Sequence, residues 1–363
     1  MIGAATMYTA TFDSERCRDA REVGGKAHGL AVMTSAGLPV APGFTLTAQA
    51  FRDFIEQGTL RRDITALLDE ADPADPTERA RVEQQIAALM TATPIPAAVA
   101  DEVTAAYHEL CRGAAVTDVP VAVRSSATAE DSAGDSFAGE FETWVDVVGA
   151  AEVVAHVHRC YASVYGGRVL AYALERGVDL HTVEMAVVVQ KTVRARSAGV
   201  MFTLDPITGD RSRIVLESCW GLGLAVVGGE VTPDRFIVNK VGLTVVDRVP
   251  GDKRIEYRRG DAPTEVPADR RYSLSLDDAE VTALAQLGKR LERLNGGPQD
   301  IEFAIDGDLP AGGNLILLQC RPETVWANAD RAPAFEAGAG FLTWITGSIS
   351  GAASASGPVH NHD

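Results

Sequence analysis

The sequence predicts an α+β protein with a helical insertion over about residues 48–112, on three observations. AFRDFIEQ, ITALLDEA, RVEQQIAALM and VADEVTAAYHELC, all within that span, repeat apolar groups at three and four residues, the spacing of a buried helix face. Pro120–Val123, Met185–Val189 and Val215–Cys219 are short apolar runs of strand length. Asp300–Ile305 alternates polar and apolar residues, and the turn-rich DGDLPAGGN joins it to a second run, Leu315–Arg321.

The 363-residue chain can bury a large core in one to three domains. A net charge of −17 argues against a nucleic acid or an anionic membrane as partner. An anionic ligand must then be held by local positive groups. Cys17, Cys111, Cys160, Cys219 and Cys320 show no paired spacing, which suits a reducing cytoplasm and speaks against a zinc site. The N-terminal MIGAATMYTATF lacks the basic-then-apolar pattern of a signal peptide. No apolar run reaches the ~18 residues of a membrane helix, so no membrane partner is expected and the predicted location is cytoplasmic.

Residues 1–20 carry little signal. Gly24-Gly25-Lys26 precedes HGLAVMTSAG, a helix with Leu30, Met33 and Leu38 inward, ended by Gly37 and stopped by Pro39. Lys26 sits near its start, where amides favour anions. Val40–Leu46 reads as a strand broken by Pro42-Gly43. DPADPT at 72–77 and TPIPAA at 93–98 punctuate the helical insertion, which reads as scaffold, with His108 a partly buried part of it.

VAVRSSATAEDSAGDSFAG, Val121–Gly139, is a short strand, then Arg124, then a long run of small and polar residues. Small side chains let backbone amides approach a ligand, and Arg can grip phosphate oxygens with a bidentate fork. Glu130, Asp131 and Asp135 oppose a simple anion nest. On composition alone, an exposed connecting loop reads equally well.

Glu142–Gly149 alternates enough for a strand, and residues 150–178 form a helix pair. His156 and His158, two apart on a helix, point about 200° away from each other and are structural. Met185–Val189 ends at Gln190, whose amide can both donate and accept. Residues 193–198 link to a second strand within GVMFTLDP, and Val215–Cys219 leads into WGLGLAVVGGEV. Residues 241–273 read as an irregular surface excursion. Leu276–Leu294 is an amphipathic helix, with Ser275 and Asp278 hinting at a capping box. From Ala329 the chain is rich in Gly, Ala and Ser, as in a flexible terminus or a partner-binding segment.

An antiparallel register that pairs Glu302 with Gln319 also pairs Asp300 with Arg321. All four polar side chains then share one face, with Ile301, Phe303 and Ile305 on the other. A carboxylate and an amide carbonyl are the hard oxygen ligands Mg²⁺ takes, and Arg suits phosphoryl oxygens. A plain cross-strand ion pair between Asp300 and Arg321 is the alternative.

Five blocks in order resemble the nucleotide-binding domain shared by phosphoenolpyruvate synthase, pyruvate phosphate dikinase and rifampicin phosphotransferase. They are VGGKAHGL (Val23–Leu30), the Val121–Gly139 stretch, VVVQK (Val187–Lys191), GVMFTLDP (Gly199–Pro206) with ESCWGLGLAVVGGEVTPDRF (Glu217–Phe236), and QDIEFAID (Gln299–Asp306) with LQCRPETV (Leu318–Val325). The resemblance implies an ATP-grasp fold, with an N-terminal part at 1–198, a C-terminal part at 199–328 and a tail at 329–363.

It further implies ATP and Mg²⁺ as cofactors. Lys26, Arg124 and Arg321 match catalytic phosphate-contacting positions. Gly139 and Thr143 match nucleotide-contacting ones, Gln190 lies at the adenine, and Glu302 and Gln319 match metal ligands. Many relatives carry Glu where this chain has Leu224. The histidines at 28, 108, 156, 158, 181, 360 and 362 lie outside the glycine-rich Ser-His context of the family's phosphate carrier. The chain therefore resembles a separate ATP-binding subunit, as in phenylphosphate synthase. Such a subunit phosphorylates a histidine on a swivelling partner, giving AMP and phosphate, and a small phenol, hydroxyl or enolate bound by the partner takes the group. The nucleotide-binding part of a single-chain antibiotic phosphotransferase or phosphoenolpyruvate synthase, and a non-catalytic nucleotide sensor, are the alternatives.

Overall fold

Two antiparallel sheets, built one after the other along the chain, carry the fold in the computed structural model, which describes residues 8–70, 74–128, 143–176, 178–260, 262–323 and 325–326. The fold is α+β. Its first strand, β1 (Thr9–Thr11), is followed by a 3-10 turn at Glu15–Arg18 and by α1 (Ala20–Ser35). Asp19 caps α1 by accepting from Arg21 N. Gly24, at φ 73° and ψ 168°, interrupts the helix, so Lys26 falls in the first turn of its second segment. A Cβ on Gly24 would lie 2.1 Å from Ser126 O. That contact, together with the positive φ, requires glycine. Leu30, Met33 and Leu38 are buried as expected, and Gly37 ends the helix at φ 65°.

β2 (Gly43–Leu46) is shorter than the expected Val40–Leu46. Pro42 has no N–H for a ladder, and Val40 instead makes an isolated parallel bridge to Leu317. The insertion comprises α2 (Ala48–Ile55), α3 (Leu60–Glu70), α4 (Pro76–Ala92) and α5 (Ala97–Gly113). Their apolar stripes, among them Phe51, Phe54, Ile64, Ile86, Met90, Val103 and Tyr107, form one core with the first sheet. His108 is exposed rather than partly buried, because the inward position on that turn of α5 belongs to Tyr107.

β3 (Val121–Ala127) continues past Arg124, which is therefore mid-strand. Val121 and Val123 face the helical core, so Arg124 projects from the opposite side. Residues 129–142, with Gly139, lie outside the described residues, as does the tail from 329. β4 (Thr143–Val147), α6 (Ala150–Ala162), α7 (Gly167–Arg176) and β5 (Met185–Lys191) follow. His156 and His158 are structural: His156 Nδ1 is 2.7 Å from Glu152 O, and His158 Nε2 is 2.7 Å from Met90 O. The first sheet has the order β1-β2-β5-β3-β4. Within β5, Val187 and Val189 enter the helical core, while Val188 joins a second core around α1.

β6 (Ala195–Phe202) takes in residues expected to be linker, because Ala195, Ser197 and Ala198 pair with β12 (Gln299–Asp306), the strand that leads to β13 (Leu315–Pro322). Between them lie β7 (Arg213–Trp220), α8 (Leu224–Val227), β8 (Asp234–Asn239), β9 (Thr244–Val249), β10 (Ile255–Glu256), β11 (Thr264–Glu265), α9 (Ala268–Arg271) and α10 (Asp278–Asn295). The second sheet has the order β13-β12-β6-β7-β8-β9. Residues 241–273 are thus an exposed excursion, as expected, but one that contains a ladder strand, β9, and three short elements. β9 is the edge strand and largely exposed, so its sequence carries the polarity of a loop. The following segment is tied down by the fully buried Lys253–Asp234 pair. Asp234 also accepts from Gly251 N at 2.8 Å, Ser275 N at 2.7 Å and Ser275 Oγ at 2.7 Å.

That engagement takes Ser275 away from capping. The capping box at α10 is Asp277 with Glu280, their side chains accepting reciprocally from each other's N–H at 2.8 and 3.1 Å. α1 packs against β3, β5 and β13, with Leu317 N donating to Pro39 O at 2.7 Å. All these elements belong to one unit, residues 1–323. In the second, 324–363, the described residues are Val325 and Trp326, in a turn. No single helix among the described residues is long and apolar enough to cross a membrane.

Candidate active site

The β12–β13 hairpin adopts the expected register: Asp300 opposite Arg321 and Glu302 opposite Gln319. A register shift follows Glu302, so Phe303 faces Leu317 and Leu318 is the extra residue. Ile301, Phe303 and Ile305 are fully buried in the core on the other face. Arg321 Nε donates to Asp300 Oδ2 at 2.8 Å.

Arg124 reaches this hairpin from the first sheet. Its Nη2 donates to Glu302 Oε2 at 2.9 Å and to Gln319 Oε1 at 3.1 Å, and its Nη1 donates to the bulged Leu318 carbonyl at 3.3 Å. Burial pushes the Glu302 carboxyl up, but the charges of Arg124, Arg321 and Lys26 outweigh it and hold the group below its usual range. Asp300 goes the other way: burial raises it, and Arg321 offsets this only in part.

Arg124, Glu302, Leu318, Gln319 and Arg321, but not Asp300, line a cavity of about 420 Å³, within the size range of small-molecule sites. Lys26, Arg124, Thr143, Gln190, Glu302, Gln319 and Arg321 all contribute to its walls. Gly139 belongs to residues not described. The Gln190 side chain is buried, and its Nε2 donates to Ala41 O at 3.0 Å, which leaves its carbonyl and one N–H. The cavity is thus charged where Lys26 meets the hairpin. Elsewhere it is apolar, walled by Ala122, Val145, Val193, Leu222, Leu224 and Val227.

A family model described as pyruvate phosphate dikinase, AMP/ATP-binding domain, matches residues 20–338. The chain belongs to this family. It is 40% identical over 326 residues to a probable phosphoenolpyruvate synthase of Methanothermobacter thermautotrophicus, covering 89% of this chain and 47% of that protein. Against the phosphoenolpyruvate synthase of Aeropyrum pernix, identity is 39% over 334 residues, 84% of this chain and 41% of the relative. The Pseudomonas aeruginosa phosphoenolpyruvate synthase gives 38% over 341 residues, 89% and 42%. The chain spans less than half the length of these relatives.

This dikinase-type nucleotide-binding module offers a donor set that fits a divalent cation. Glu302 Oε2 and Gln319 Oε1 both lie within 3.1 Å of one Arg124 nitrogen, so two hard oxygens converge on one positive centre. Sequence reasoning missed part of the lining. Val145 is placed by a register shift in β4 that residue types do not announce. Thr192 follows Gln190-Lys191 in the VVVQK block; its Oγ1 is buried with no hydrogen-bond partner among the described residues. Leu222–Leu224 had a signal, the glycines of WGLGL. Leu224 opens α8 on the cavity wall.

Proposed function

We propose that this chain is the ATP-binding part of a dikinase-type phosphotransferase, with an ATP-grasp fold whose parts, 1–198 and 199–328, hold Mg-ATP between them. The observation that carries this reading is the joining of Lys26 and Arg124 with Glu302, Gln319 and Arg321 in one cavity. Lys26 and Arg124 hold the ground-state phosphates. Gln190 and the backbone beside it read the base. Thr143 contacts the nucleotide, as does Gly139.

Glu302 and Gln319 hold Mg²⁺, which when bound neutralises phosphate charge and orients the chain of phosphates. Arg321 supplies charge where it develops during transfer. ATP, water and a partner histidine then give AMP, phosphate and phosphohistidine. The histidine lies on a swivelling partner that passes the group to a small hydroxyl, phenol or enolate. Residues 329–363 bind that partner, and the setting is the cytoplasm.

Whether the histidine belongs to another chain or to a continuation of this one is a second question. Coverage of under half of each relative favours the continuation. The test has two steps. Calorimetric titration of the folded chain with Mg-ATP should show one site, and no binding would remove the nucleotide reading. Incubation with a histidine-bearing partner should then yield AMP; ADP alone would remove the dikinase reading.

A further inference from the structure

The segment from Arg254 to Gly260 touches two walls of the cleft. On the second-sheet side, Leu222 N donates to Tyr257 O at 2.8 Å, and Gly221 makes a parallel bridge to Tyr257. A Cβ on Gly221 would lie 2.2 Å from Tyr257 O, and its φ is +72°, so only glycine permits this approach. The next residues, Leu222 and Leu224, line the cleft.

On the first-sheet side, Gly260 N donates to Asp146 Oδ2 at 2.7 Å, and Arg259 Nε lies 3.9 Å from Asp146 Oδ1. Asp146 follows Val145 on β4, where the pairing with β3 shifts register between Val121 and Val123. Its φ is +58°, a region sparsely populated by residues other than glycine, although Asp tolerates it better than most. A shift of this kind re-aims side chains beside a site. Here it goes with Val145 lining the cleft and Asp146 engaging the far segment. A strained conformation with its side chain committed to another element is the mark of a functional constraint.

We infer that Asp146 is a positioning residue of the nucleotide cleft. Through Gly260 and Arg259 it fastens the β4 wall, with Thr143 and Val145, to the Gly221–Leu224 wall. Nucleotide leaves when this fastening lets go. Asp146 touches no phosphate and takes no part in transfer; it holds two walls at a fixed separation. The inference rests on the reading of this cleft as the nucleotide site, but the mechanical coupling is separately measurable.

Asp146→Gly is the informative variant, because glycine accepts the same φ and the fold loses only the side chain. In stopped-flow measurements on the full chain with a fluorescent ATP analogue, dissociation should speed up by about tenfold. Association should change little, and the unfolding midpoint should fall only slightly, because glycine relieves the positive φ as the two contacts are lost. Asp146→Asn keeps an acceptor for Gly260 N and should recover part of the loss. Arg259→Ala should speed dissociation in the wild type and add nothing in the Asp146→Gly background. Hydrogen exchange without nucleotide should accelerate at residues 143–147 and 221–227 but not in α10. Unchanged dissociation in folded Asp146→Gly, or unchanged exchange across both walls, overturns the inference. A wild-type chain that binds no nucleotide yet shows the exchange coupling would instead overturn the assignment of the cleft.

Discussion

Arg124 and Glu302, 178 residues apart in the chain, meet at 2.9 Å. One stands on the first sheet and the other on the second, so the pair spans the junction between them. Both side chains are largely buried, at 13% and 22% exposed. Removing one partner leaves the other charge poorly solvated. Arg124→Ala or Glu302→Ala should each cost roughly 2–4 kcal/mol in urea unfolding. The double variant should lose less than the sum. Strict additivity would mean the pair is not coupled.

Arg321→Ala should damage transfer more than nucleotide affinity. If, as proposed, Lys26 and Arg124 hold the ground-state phosphates, they still do so in this variant and the loss falls on the transition state. The expected drop is ~10²–10³ in single-turnover phosphorylation of the partner histidine at saturating Mg-ATP. Arg321→Lys should rescue only partly, because an ammonium lacks the planar fork. Asp300, at 2.8 Å, orients the guanidinium. Equal losses in rate and affinity would make Arg321 a binding residue.

Gln190→Ala should weaken ATP while sparing inorganic triphosphate, since only the former carries a base. Its bond to Ala41 O predicts some loss of stability as well, about 1 kcal/mol. Thr192→Val, nearly isosteric, should show the same ligand selectivity without that stability loss if the buried hydroxyl meets the base. Affinities for both ligands, by competition against a fluorescent nucleotide, check this. Parallel losses for the two ligands would remove these side chains from base recognition.

Alkaline pH should destabilise the protein through its thiols. Burial pushes Cys17 up to about 11 and Cys219 up to about 12. The unfolded chain ionises near ~8.5, so the folded state binds more protons between these values. Stability from these groups is full below the unfolded value and is lost as pH rises through the folded one. Each thiol contributes a slope of up to ~1.4 kcal/mol per pH unit in that window. Cys219→Ala should flatten the fall in urea midpoint between pH 9 and 11; an unchanged slope would exclude Cys219 as a source.

The β12–β13 hairpin was legible because a period of two and one antiparallel register settle four side chains together. Lys26 and Arg124 were legible through their motifs. Arg124 was nevertheless placed at a strand end, since Ser125–Ala127 are small and loop-like in type yet buried in the ladder. Asp146 was not legible: its importance lies in a backbone angle and a partner 114 positions away. Nor was β9, whose exposed edge bears the polar residues of a loop. Ser275 looked like a cap, and it is instead spent on Asp234, a buried carboxylate whose need for donors outweighs a helix end.

The placement of β13 against α1 bears on synthesis. The ribosome releases α1 early and β13 some 280 residues later, at ~5–20 residues per second. Until β13 emerges, the helix face carrying Gly29 has no Cys320 carbonyl beneath it, and Pro39 O has no Leu317 amide. The helical insertion and first sheet have their own core and can condense meanwhile. One flank of α1 must wait until the last strand of the fold has been made.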